Sequence, residues 1–181
     1  MFFKPKDLKI PEIVNMPISL YKSLQGKYFV GYADNLTFNK GTSAWASLSN
    51  PPNSTVNLHV NVWTVTSLFG TFRAQIWFNA NLPGTPEISQ LVTTSNTTII
   101  PNPKPKIKLL LASNVKGEPS CGIKAFVRRG EEQSTIVAEE DGKFIFPPGG
   151  SFSVYISEPE TPEEIGAGRI AFGWWEEPIC K

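Results

Sequence analysis

Apolar and polar residues alternate with a period of two along most of the chain after Lys27. The longest run is 55–65: Val56, Leu58, Val60 and Val62 face one way, while Asn57, His59, Asn61 and Trp63 face the other. In 72–78, Phe72, Ala74, Ile76 and Phe78 oppose Arg73, Gln75 and Trp77. This is the period of a strand with one buried face. Similar short runs lie at 28–33, 44–48, 88–92, 97–100, 107–112, 123–128, 135–139, 143–146, 152–156 and 169–175. Proline and glycine stand between them, as in Pro51-Pro52, Pro83-Gly84, Lys116-Gly117 and Pro147-Pro148-Gly149-Gly150, and these residues turn the chain. Asp141-Gly142, between two glutamates and Phe144, predicts a tight hairpin. Many short strands with regular turns predict an all-β fold, an antiparallel β-sandwich of jelly-roll type. A short helix is expected only at 162–165, where Pro162 precedes two acids.

The first twenty residues follow another rule. Pro5, Pro11 and Pro17 forbid a continuous helix, and Val14, Met16, Ile18 and Leu20 alternate with Asn15, Pro17 and Ser19. Residues 1–20 are therefore expected to form an extended N-terminal arm, and residues 21–181 the sandwich domain. An extended arm of that length reaches about 60–70 Å. Its tip, Met1, Phe2 and Phe3, is apolar, as are Leu8, Ile10, Ile13 and Val14. Such a segment either folds back on its own domain as an edge strand or docks on a neighbouring copy. On the second reading these seven residues form the subunit interface.

The 181 residues carry 16 Pro, 14 Gly, 12 Phe and 5 Trp, and only 18% are charged. That composition excludes a helix bundle and a coiled coil. The formal charge of +1 argues against nucleic acid as a partner. The charge is divided, however. Residues 1–130 carry 14 basic and 5 acidic side chains, and residues 131–181 carry 3 basic and 11 acidic ones. Interleaved strands would mix the two signs over the surface; separated ones would give unlike faces that favour contacts between copies.

No cofactor or metal is expected. His59 is the single histidine, there is no CxxC, and neither a Walker loop nor a G-x-S-x-G elbow occurs. The pairs Glu131-Glu132, Glu139-Glu140, Glu163-Glu164 and Glu176-Glu177 are sequence neighbours whose side chains diverge on a strand, so they read as surface acids rather than a catalytic dyad. An enzyme is therefore not expected. The run 103–108, Pro-Lys-Pro-Lys-Ile-Lys, reads as an edge strand guarded by lysine and proline. Cys121 and Cys180 are either unpaired thiols or a covalent link between subunits. Trp63, Trp77 and Trp175 are assigned to outward faces, where they would stack on sugar rings, sit in a subunit interface or form a second core layer. Neither a secretory signal nor a membrane-spanning run is present, so synthesis in the cytoplasm is expected.

Three blocks carry a resemblance: residues 19–32 (SLYKSLQGKYFVGY), 138–152 (AEEDGKFIFPPGGSF) and 169–177 (RIAFGWWEE). Through them the chain resembles a family of small proteins of unknown function from spore-forming Firmicutes. In architecture alone it is similar to the jelly-roll subunits of endospore appendages, whose fibres grow when an N-terminal connector of one subunit enters the next. The connectors of those subunits are rich in cysteine, and this arm has none. The resemblance implies synthesis in the mother cell, a place on the spore surface, and partners that are further copies of the chain or other spore-surface proteins. It implies no catalytic residues. The expected function is a self-assembling structural subunit, with a carbohydrate-binding module as the alternative.

Overall fold

The computed structural model describes residues 15–158, 160–161 and 163–179. A short helix α1 (Ile18–Leu24) precedes eleven strands: β1 (Tyr28–Phe38), β2 (Ser43–Ser49), β3 (Val56–Phe69), β4 (Phe72–Phe78), β5 (Glu87–Ile88), β6 (Val92–Thr94), β7 (Lys108–Val115), β8 (Ile123–Gly130), β9 (Thr135–Phe146), β10 (Ser151–Ser157) and β11 (Gly166–Pro178). They form a five-stranded sheet, β6-β1-β11-β3-β9, and a six-stranded sheet, β5-β7-β2-β10-β4-β8, with every pairing antiparallel. Without β5, β6 and β7 the order is β1-β11-β3-β9 over β2-β10-β4-β8. First strands lie beside last strands in both layers, which is the double Greek key of a jelly roll. The segment from β5 to β7 is inserted between β4 and β8.

The inner faces enclose Leu48, Leu58, Trp63, Ile76, Phe152, Ile156, Ile170 and Trp174, each almost fully buried. Aromatic rings bridge the layers: Phe78 packs on Phe144, Phe146 and Phe152 with centroids 5.1–5.9 Å apart, and Phe152 meets Phe172 edge-on. Burial of these rings, with the aliphatic side chains around them, drives the two sheets to close.

The folded domain begins earlier than the alternation suggests, before the end of the expected arm at residue 20. Ile18 and Leu20, read as part of an extended segment, lie in α1. Pro17 sets the helix entry, and its carbonyl accepts the Tyr21 N–H at 3.0 Å. What holds α1 is not an apolar stripe: Ile18, Leu20, Tyr21 and Leu24 are exposed, while the buried Lys22 pairs with Glu177 of β11. Met1, Phe2, Phe3, Leu8, Ile10, Ile13 and Val14 lie outside the described residues.

The Asp141-Gly142 hairpin does not form. Both residues have positive φ, 50° and 71°, inside one continuous β9. They make a bulge between the pairs Val62↔Glu139 and Val60↔Phe144. The stretch 162–165 contains no helix among its described residues. The basic run is not an edge strand either. Lys106 and Ile107 donate backbone N–H bonds of 2.9–3.0 Å to the Glu176 carboxylate, and β7 that follows is flanked by β5 and β2. Glu176 is thus a buried anchor rather than a surface acid, and burial pushes its pKa up against the lowering effect of those hydrogen bonds.

The two charged halves meet at several ion pairs within one molecule. Lys22 and Lys27 meet Glu177, Lys40 meets Glu163 at 2.5 Å, and Arg129 meets Glu160 at 2.6 Å. Placing β11 beside β1 brings the acidic end of the chain onto the basic beginning.

Candidate binding face

The outer face of the five-stranded sheet carries an open apolar trough of about 480 Å³. Two cross-strand rows build it. Val30 of β1, Gly173 of β11 and Val62 of β3 stand in register, and so do Tyr32, Ala171 and Thr64. In both rows the middle strand contributes a small residue, Gly173 or Ala171, so the trough runs along β11 between taller walls. At Gly173 a Cβ would lie 2.5 Å from the Tyr28 hydroxyl and 2.8 Å from Val62, so glycine lets those side chains close over the strand at one end. Leu91 and β6 form a further wall, fixed by the Tyr32 N–H donating to the Leu91 carbonyl at 3.1 Å.

Val62 reaches the trough through a bulge. Asn61 is skipped in the pairing with β11, which matches Gly173 with Val62 and Trp174 with Val60. The skip inverts the alternation, turning Val62 outward and Trp63 inward. Asn61 Nδ2 then donates to the Tyr28 hydroxyl at 2.8 Å. The polar neighbours are few. Arg169 donates to Asp34 at 2.8 Å and lies over the Tyr32 ring at 5.8 Å. The Arg169 hydrogen bond holds the Asp34 carboxyl below its ordinary range. No charged side chain lines the trough. An uncharged apolar channel with polar rims suits an apolar ligand or an extended peptide.

The three tryptophans proposed as platforms offer no ring face. Trp63 is 1% exposed and lies in the main core; its Nε1 donates to Glu140 at 3.1 Å. Trp77 is 8% exposed and belongs to a second, smaller core with Trp45, Ala112, Val115 and Tyr155 on the outer face of the six-stranded sheet. Trp175 does point away from the core that holds Trp174, but it is 4% exposed. It stacks on His59 with centroids 5.2 Å apart, and Gly142 covers it so closely that a Cβ there would lie 1.8 Å from the ring. His59 is fixed by the same bulge, its Nδ1 lying 3.1 Å from the Gly142 carbonyl, and burial lowers its pKa. Cys121 is exposed, has φ 57° and forms no disulfide among the described residues; Cys180 lies outside them. Among the described residues no group of three or more His, Cys, Asp or Glu is placed to hold a metal ion. No helix among them is long and apolar enough to cross a membrane.

Alternation along β3 predicts Val62 inside and so conceals the trough. Ala171 and Gly173, small residues on either side of Phe172 and followed by Trp174 and Trp175, were the available signal.

A family model described as "Family of unknown function (DUF6143)" matches residues 1–181. The chain belongs to that family. Comparison with curated proteins returned no match, and comparison with solved structures returned none. The DUF6143 chain thus brings no named relative whose chemistry bears on the trough.

Proposed function

We propose that this DUF6143 protein is a self-assembling structural subunit. The N-terminal segment of one copy docks in the β11 trough of the next. The observation that carries the reading is the trough itself: an uncharged apolar channel on an outer sheet face, in a molecule whose other outer face has its large aromatic cluster covered by its own loops. The segment suits it in chemistry and length. Residues 1–14 hold Met1, Phe2, Phe3, Leu8, Ile10, Ile13 and Val14, and fourteen extended residues span about 45 Å. Apolar side chains seated over Ala171 and Gly173 would supply affinity, and the walls of Val30, Tyr32 and Val62 would supply register. The contact is heterologous, arm to trough, so repetition builds a chain of subunits rather than a closed pair. The resemblance to endospore appendage subunits supports reading such a fibre as a spore-surface structure, with other spore-surface proteins as further partners.

The test is negative-stain electron microscopy of the full chain beside a chain lacking residues 1–14, a deletion that leaves Pro17 and α1 in place. Fibres from the full chain and none from the truncated one support the proposal. Identical polymers from both overturn it.

A further inference from the structure

The two lateral sides of the sandwich end differently. On one side the sheets finish in β5 and β6, of two and three residues. On the other they finish in β8 and β9, of eight and twelve residues. Among the described residues β8 pairs only with β4, and β9 only with β3. A long edge with a free row of N–H and C=O groups is a template for another strand. Both edges also show apolar side chains to solvent, Val127 at 47% and Val137 at 59% exposure.

The charges on these edges are opposite. β8 carries Lys124, Arg128 and Arg129 and no acid; β9 carries Glu139, Glu140 and Asp141 against Lys143. Arg129 is taken by Glu160 and Glu131, and Glu140 by Lys143. Lys124, Arg128, Glu139 and Asp141 form no ion pair among the described residues. The two strands belong to different sheets but lie over one another, with Phe126 and Phe144 centroids 5.8 Å apart.

We propose that a second copy of the chain docks on this side, about a two-fold axis parallel to the strands. Such a rotation exchanges the two sheets and preserves strand direction. β8 of each copy then meets β9 of the other. Because β8 and β9 are consecutive and run in opposite directions, both new pairings are antiparallel. Each basic edge faces an acidic one, and both sheets continue across the interface. The Asp141-Gly142 bulge confines the paired part of β9 to Thr135–Glu139. This contact closes on itself and does not use the arm, so it goes beyond the fibre reading and stands or falls separately from it.

Hydrogen exchange of the full chain tests it at the β8 amides that face away from β4. In the wild type these should exchange about tenfold or more slowly than in the Lys124→Glu, Arg128→Glu variant. Adding Glu139→Lys and Asp141→Asn should restore the protection, since a lysine then stands on the β9 edge that meets the new glutamates and a neighbouring acid is removed, and Asn tolerates the positive φ at 141. Equal exchange in wild type and the charge-reversed variant overturns the proposal, as does failure of the compensating pair to restore protection in a protein whose circular dichroism is unchanged. Loss of fibres on deleting residues 1–14 with β8 protection retained leaves both contacts standing. Unaltered fibres with β8 protection retained reject the arm alone.

Discussion

The outer faces of the two sheets are built from the same kind of strand and finished in opposite ways. On the six-stranded sheet, Trp45, Trp77 and Tyr155 point outward, and the flanking loops fold over them with Ala80 and Leu82. Trp45 Nε1 donates to the Pro83 carbonyl at 2.8 Å, tying the loop to the sheet. On the five-stranded sheet, Val30, Tyr32, Val62 and Ala171 point outward and stay open in the trough. Apolar side chains on an outer face therefore do not by themselves mark a binding surface. What matters is whether the chain supplies its own cover. The insertion between β4 and β8 provides it on one side, and a surface left bare on the other is where a partner adds most.

The largest expected effect tests the covered face. Trp45→Ala removes a buried ring and its hydrogen bond, and should cost about 3–5 kcal/mol in urea unfolding. A cost under about 1 kcal/mol would mean that the loops do not form a second core. Next comes Gly142→Ala, where the new methyl group collides with Trp175 at a positive-φ position. It should destabilise by about 1–3 kcal/mol and disturb tryptophan fluorescence.

Glu177 gives a smaller effect with a definite sign. Its burial opposes ionisation, but the hydrogen bond and charge of Lys22, with Lys27, hold its carboxyl below the ordinary range. Stability from this group is therefore fully present above the unfolded-state value and is lost as the pH falls through the lowered folded value. With the site a third exposed, Glu177→Gln should cost under about 1 kcal/mol at neutral pH. The difference from wild type should vanish on acidification, which thermal melts across the acid range would show.

The smallest effect on folding belongs to the open face. Val62→Lys should change stability by no more than about 0.5 kcal/mol, since the side chain already reaches solvent. The same change should abolish the fibre formation proposed for the arm and trough. Fibres unaffected by Val62→Lys would remove the trough from the assembly mechanism.

Much of the sandwich was legible in the chain, because the alternation in β4 and the Pro/Gly punctuation are local consequences of a half-buried strand. The assignment of Phe72, Ala74 and Ile76 to the core and of Trp77 to the opposite face holds in the structure. The candidate site was far less legible. One skipped residue, Asn61, exchanged the roles of Val62 and Trp63, and no local signal distinguishes a strand that slips from one that does not. The helix α1 was missed for a related reason. Its anchor is an ion pair to Glu177, 155 residues away, rather than its own apolar pattern.

The amino-acid sequence by itself determined that the chain is mostly strand, many of the turn positions and an apolar N-terminal segment, since backbone preference and side-chain period act over a few residues. Only the tertiary structure decided which apolar faces are covered, which glutamates are buried, and how the basic and acidic halves meet. Those outcomes depend on strands far apart in the chain lying side by side, β11 on β1 above all, and the free energy of that pairing is not stored in any one segment.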